Sequence, residues 1–163
     1  PNKVKVEFTL KSSIDKTISL LSASFKTHSI EDIVDIEDIS ITALENELTQ
    51  AILNIVKNAK DILITLTLES KRLIFINIYK KNNKIYIEIK DNGGGIPEDI
   101  IEKVFEPYFT TKHQSHGTGI GLYMTQSIVT KHLNGEIYVE NIEYEYENNS
   151  YKGAKFIIIL PLN

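Results

Sequence analysis

The 163-residue sequence contains no cysteine, which excludes disulfides and thiolate metal sites and leaves the redox compartment unmarked. Long hydrophobic runs are missing too. Apolar stretches such as Phe156 to Leu160 are strand-sized, far short of the roughly 20 residues that a membrane-spanning helix needs. There is no basic surplus: the net charge is −4, and no basic face is available for nucleic-acid phosphates, so neither a nucleic-acid partner nor membrane contact is expected. Internal repeats and low-complexity linkers are absent, and the first residue is Pro1 rather than Met, which reads as a fragment or a processed chain. What is present, 42% hydrophobic residues, suffices for a real core, and residues 1–163 read as one globular domain.

Glycine and proline are scarce and unevenly placed. Six of the eight glycines and two of the four prolines fall between Asp91 and Leu122, in two clusters separated by a loop bearing Phe and Thr. Such a run needs main chain to approach something closely or to adopt positive φ. A nucleotide phosphate tail is the leading candidate.

The remainder reads as scaffold. Val4, Val6, Phe8 and Leu10 alternate with polar residues and predict a half-buried first strand. Ser12-x-x-Asp15 resembles a helix-starting cap, and Ile14, Ile18, Leu21 and Phe25 recur at helical spacing behind it. Short β-branched runs broken by acids from Ile30 to Ile41 suggest one or two edge strands. A second helix is expected from about Leu44 to beyond Asp61, with Leu48, Ala51, Ile52, Ile55, Ala59 and Ile62 as its apolar stripe. Asn54, Asn58 and Asp61 project from the opposite face, an arrangement that taken alone reads first as a solvated surface. Leu73–Tyr79 and Lys84–Lys90 alternate as a hairpin around Lys80–Asn83, placing Asp91 at a strand's C-terminal end. A helix from about Gly119 to His132 stops at Asn134-Gly135. Glu136–Glu140 and Gly153–Leu160 form a second hairpin with a polar tip at Glu145–Ser150.

The chemistry available to the clusters is specific in kind. An ionised Asp91 is acceptor-only and suits an exocyclic amine such as that of adenine; desolvated, the bond would contribute ~1.5–3 kcal/mol and disfavour guanine, which has a carbonyl there. The same residues also fit a simple strand-to-helix turn. Gly117-Thr118-Gly119-Ile120-Gly121 precedes a helix, where backbone N–H groups can cradle phosphate, although a glycine-rich helix start also serves close packing. Thr110, Thr111 and Lys112 just upstream could reach terminal phosphates. Mg²⁺ would accompany such a tail, and the side-chain carbonyl of Asn58 would suit it.

Taken in order, LTQAILNIVKNAKD, DNGGGIP, VFEPYFTTK and GTGIGL resemble the N box, first glycine box, F box with lid, and second glycine box of the ATP-binding catalytic domain of sensor histidine kinases, within the gyrase, chaperone, histidine kinase and MutL superfamily. The four motifs cover residues 44 to 122, and YKGAKFIIILPL resembles the family's closing strand. The resemblance implies a two-layer α/β sandwich of the Bergerat type, with a mixed, mostly antiparallel sheet and three main helices on one face. It implies ATP and Mg²⁺ as cofactors, Asn58 as magnesium ligand with Asn54 one turn before it, and Asp91 on the adenine amine. Gly93, Gly95 and Ile96 would line the nucleotide, while Gly117, Thr118, Gly119, Gly121 and Leu122 border the phosphates. Tyr108 to His116 would form a mobile lid packed through Phe105 and Phe109, with Thr111 and Lys112 toward phosphate and Lys112 counted among the catalytic residues with Asn54 and Asn58.

The implied activity is transfer of the ATP γ-phosphoryl group to a histidine on a separate dimerisation domain, with onward relay to a response-regulator receiver domain. Residues 1–10 would be the first strand or the remnant of a linker to that upstream domain, in a homodimeric, cytoplasmic or membrane-anchored full-length protein. A superfamily ATPase and a non-catalytic ATP-sensing module are the alternatives. ATP-hydrolysing relatives usually place Glu where Asn54 stands, and an amide is no general base. Asp61 and Ala154 depart from the pattern, which often has a basic residue and Thr there. None of His28, His113, His116 and His132 has the sequence context of a phosphoacceptor.

Overall fold

The computed structural model describes residues 4–66, 71–107, 109 and 121–162. The chain opens with β1 (Val6–Thr9), α1 (Leu10–Thr27), β2 (Ile30–Ile36), β3 (Ser40–Ala43) and α2 (Glu45–Leu63). The hairpin of β4 (Arg72–Lys81) and β5 (Lys84–Asp91) follows, and then a 3-10 turn at Ile101–Lys103. A further helix, α3 (Gly121–Ser127), runs into a π-helical turn at Ile128–His132 and precedes the closing hairpin of β6 (Glu136–Tyr146) and β7 (Asn149–Pro161).

Five strands make one sheet in the order β2-β4-β5-β7-β6, with β2 parallel to β4 and every other pairing antiparallel. β1 and β3 form a separate antiparallel pair. The mixed, mostly antiparallel sheet and the three helices α1, α2 and α3 match the expected α/β sandwich. Its core follows from two periodicities. Ile74, Ile76 and Ile78 of β4 and Ile85, Ile87 and Ile89 of β5 alternate onto one face and are at most 1% exposed. Leu48, Ala51, Ile52, Ile55 and Val56 form the facing stripe of α2, all fully buried. Each such Leu or Ile contributes about 1.5–3 kcal/mol relative to an exposed one.

Element boundaries differ from the sequence reading in instructive ways. β1 is shorter than the alternation suggests: Val4 and Val6 are exposed, whereas Leu10 is fully buried and already belongs to α1. Thr9, not Ser12, caps that helix, its hydroxyl accepting from the Ser12 N–H at 3.2 Å while Ser12 Oγ donates back to the Thr9 carbonyl. Asp15 lies on the helix surface beside Lys11 at 2.7 Å. β2 is the edge of the main sheet, but β3 left it for the small pair. The closing hairpin turns inside the polar segment expected as its tip, at Glu147–Asn148, whose φ values of 49° and 66° give the left-handed pair a two-residue turn requires, while its strands extend further toward that tip than the sequence suggested.

Two polar anchors tie the layers together. Arg72, 6% exposed, donates from Nη1 to the His28 carbonyl at 2.7 Å and from Nη2 to the Leu66 carbonyl at 2.6 Å, joining β4 to the ends of α1 and α2. Asn134, with φ of 55°, ends the last helix, and Gly135 N–H donates to the Val129 carbonyl at 2.8 Å.

Candidate functional site

Asp91 is the last residue of β5 and pairs with Ile74 of β4, so its side chain falls on the same helix-facing side as Ile89. It is 2% exposed. The N–H groups of Gly93 and Ala154 both donate to its Oδ1, at 2.8 and 3.3 Å. Burial pushes its pKa up from 3.8 to about 6, and those two backbone bonds oppose the shift by favouring the charged form. At neutral pH the site therefore holds a carboxylate that is ionised yet shielded from water, with a strong appetite for a donor. Ala154, the departure from the family pattern, serves Asp91 through its main chain.

The turn after Asp91 is fastened on every side. Asn92 accepts from Leu73 N–H at 2.9 Å and donates to the Lys71 carbonyl at 2.8 Å, and Gly94 N–H donates to the Lys152 carbonyl at 2.9 Å. Gly94 and Gly95 have φ of 94° and 90°, where a Cβ is strained. A Cβ on Gly95 would also lie 2.8 Å from Asn141 Oδ1, and one on Gly93 would lie 2.6 Å from Ile62 Cγ2. Asn141, on β6, accepts from Ile96 N–H and donates to the Ile96 carbonyl, both at 2.7 Å. Ile96 is half-buried against the core. The end of α2 is thus pressed onto the first glycine cluster through Ile62, four residues beyond Asn58.

On α2, Asn54 and Asn58 are both half-buried, one turn apart on one face. Asn54 is held at both ends: Gln50 Nε2 donates to its Oδ1 at 2.7 Å, and its Nδ2 donates to the Gly121 carbonyl at 3.4 Å. The same carbonyl accepts from Thr125 Oγ1 at 2.8 Å, so α2 carries the start of α3. Asp61 pairs with Lys60 at 3.5 Å. A Cβ on Gly121 would meet nothing within 4 Å among the described residues, in contrast to Gly93 and Gly95. Leu122 is half-buried against the core. Phe105 packs edge-on to Phe156 at 6.1 Å, and Phe109 is half-buried with its N–H donating to the Glu106 carbonyl at 3.2 Å.

Asn54, Asn58, Asp91, Gly93, Gly95, Ile96, Gly121 and Leu122 are therefore placed along α2, the end of β5 and the start of α3. Thr110, Thr111, Lys112, Gly117, Thr118 and Gly119, together with Tyr108, His113 and His116, lie outside the described residues. The two described histidines have structural settings: the His28 carbonyl accepts from Arg72, and His132 Nδ1 is 3.2 Å from Glu47 Oε1. Among the described residues no group of three or more acidic or His side chains stands ready for a metal ion. Sequence reasoning missed Asn141, Gly153 and Tyr144, which come to Asp91 and its turn from 45 to 62 residues away, and it assigned Ile62 to the core alone; the spacing of Ile62 from Asn58 was the one available signal.

Over residues 43–163 the sequence matches the family described as histidine kinase-, DNA gyrase B-, and HSP90-like ATPase. The chain belongs to this family. Its α2, Asp91 turn and α3 all fall inside the matched span. Sporulation kinase A of Bacillus subtilis (strain 168) is 30% identical over 162 residues, which are 98% of this chain and 24% of the relative. Sporulation kinase E of the same strain is 35% identical over 149 residues, 90% of this chain and 18% of the relative. The nucleotide-free catalytic domain of histidine kinase ThkA superposes with a TM-score of 0.76 at 28% identity, covering 96% of this chain and 95% of that one. The complex of ThkA with response regulator protein TrrA gives a TM-score of 0.76 at 25% identity, covering 98% of this chain and 42% of that one. The chain thus spans about a quarter or less of the length of these curated relatives. No helix among its described residues is long and apolar enough to cross a membrane.

Proposed function

We propose that residues 1–163 are the ATP-binding catalytic domain of a cytoplasmic-facing sensor histidine kinase, passing the ATP γ-phosphoryl group to a histidine on a separate dimerisation domain for relay to a response regulator. The observation that carries the reading is Asp91, a carboxylate 2% exposed at a strand end, with both backbone donors on Oδ1. Oδ2 is the oxygen on which an adenine amine would land. Ile62 and Ile96 offer apolar surface beside it, and the turn from Gly93 to Gly95 brings main chain close to the base. Asn58 is the residue that would hold Mg²⁺, whose contribution is to neutralise phosphate charge. Gly121, with no neighbour that requires glycine among the described residues, suits a helix start facing phosphates, and Gly117, Thr118, Gly119, Thr111 and Lys112 would complete that wall.

Transfer is favoured over hydrolysis by Asn54. An amide cannot take a proton from water, and this one is already engaged by Gln50 and Gly121. With an amide rather than a carboxylate at that position, the work proposed for the domain is positioning of the terminal phosphoryl for an incoming imidazole. The likeness to sporulation kinases, and to the catalytic domain of ThkA, supports the same reading.

The test is phosphotransfer. The chain is incubated with ATP labelled on the γ-phosphate and a histidine-bearing dimerisation domain from a relative such as sporulation kinase A. The expected result is acid-labile label on the acceptor's histidine, lost when that histidine is replaced. Release of label as free phosphate with none on the acceptor would make the domain an ATPase, and ATP binding with neither outcome would make it a sensing module.

A further inference from the structure

The sheet face turned away from the helices carries an aromatic cluster directly behind Asp91. Phe75 of β4 meets Tyr144 and Tyr146 of β6 edge-on, with centroids 5.5 and 5.0 Å apart. The Lys90 ammonium lies 4.0 Å from the Tyr144 ring and 4.7 Å from that of Phe75. The Tyr144 ring is therefore clamped, and its hydroxyl donates to a single acceptor, the main-chain carbonyl of Asp91, at 2.7 Å.

That bond stands at the end of a ladder. Pairing of β5 with β7 runs from Lys84↔Pro161 to Lys90↔Lys155 and stops one residue short of Asp91. Tyr144 belongs to β6, two strands away from β5 in the sheet order. Gly153 of β7 lies against the same carbonyl; a Cβ there would be 1.8 Å from the Asp91 oxygen, and any side chain would occupy the place where the phenol bond is made. Burial, followed by the nearby Asp91 charge, raises the Tyr144 pKa above its ordinary value, so the hydroxyl keeps its proton and remains a donor.

We propose that Tyr144 is a positioning residue for base recognition, which fixes the Asp91 peptide from the side of the sheet opposite the nucleotide and thereby aims the carboxylate at the adenine amine. Gly93 and Ala154 restrain one carboxylate oxygen, but both act on the side chain. Tyr144 restrains the peptide from which that side chain springs, so the two sets of bonds together determine where Oδ2 points. The inference rests on the reading of Asp91 given above.

Tyr144→Phe keeps the ring, with its contacts to Phe75 and Lys90, and removes only the donor. Binding of nonhydrolysable ATP and ITP analogues is measured on this chain, on Tyr144→Phe and on Asp91→Asn; inosine carries a carbonyl in place of the amine. Tyr144→Phe is expected to weaken the ATP analogue by roughly three- to tenfold and to leave the ITP analogue unchanged, in the direction of Asp91→Asn. A purely structural role would weaken both analogues alike. If Tyr144→Phe lost both equally, or neither, while Asp91→Asn lost ATP selectively, the role of Tyr144 would be overturned and the Asp91 reading would stand. If Asp91→Asn showed no adenine-selective loss, both would fall together.

Discussion

Asp91 makes a pH prediction whose sign can be worked out. Its pKa is about 6 in the folded chain against 3.8 ordinarily, so between those values the folded state holds a proton that the unfolded state has released. The contribution of this group to the stability of the free chain is then greatest below about pH 4 and is lost as pH rises through about 6, by about 3 kcal/mol. Urea denaturation across that range should show the decline, and Asp91→Asn should flatten it. Affinity for ATP should run the other way, rising through about pH 6 as the carboxylate that accepts the amine ionises, and Asp91→Asn should lose that component. Gly153 gives a second residue-scale test. With a Cβ placed 1.8 Å from the Asp91 carbonyl, Gly153→Ala should destabilise the chain by about 3 kcal/mol, at the upper end of ordinary overpacking. Asp91 was legible because its motif is local. The residues that serve it were not: Tyr144 and Asn141 have no signature of their own, Gly153 falls in the closing-strand motif without pointing to Asp91, and only the register of β5, β7 and β6 brings them to it.

At the scale of elements, the helices and strands with strong periodicity were legible and their ends were not. Leu10 shows why. It continues the alternation of β1, but Thr9 can cap a helix, and burial of Leu10 is equally well served from the first turn of α1. The closing hairpin has its turn where it was expected, and only the length of its strands was missed. Glu140, Glu143 and Glu145 interrupt the apolar pattern, yet Tyr144 and Tyr146 between them cover Phe75, which is the alternation of a strand with one wet face. Arg72 is the element-scale prediction. Its guanidinium joins the carbonyls that end α1 and follow α2, and Arg72→Met should leave those carbonyls unmet and cost about 2–3 kcal/mol in chemical denaturation. Nucleotide affinity, measured on the folded fraction, should change little, because the Arg72 guanidinium bonds to the His28 and Leu66 carbonyls and not to the Asp91 turn or the Asn54 face.

At the scale of the molecule, the two layers have separate tasks. The sheet delivers Asp91 and its glycine turn, and α2 delivers Asn54 and Asn58 and carries the start of α3 through the Gly121 carbonyl. The buried faces of the main helices and strands were readable from hydrophobic period and the fold class from the motif resemblance, whereas strand order was not, since β2 joins parallel to β4 across a separation that no local pattern reveals. Both edge strands carry acids, Glu31, Asp32 and Asp35 on β2 and Glu136, Glu140, Glu143 and Glu145 on β6, which discourages edge pairing. The central claim is that this architecture reads ATP through one buried carboxylate. Its most direct test is a titration of a nonhydrolysable ATP analogue, with and without magnesium, against the parent chain and Asp91→Asn. The account predicts magnesium-dependent binding by the parent and a loss of at least about tenfold in the variant. Equal affinity in the two proteins would contradict it.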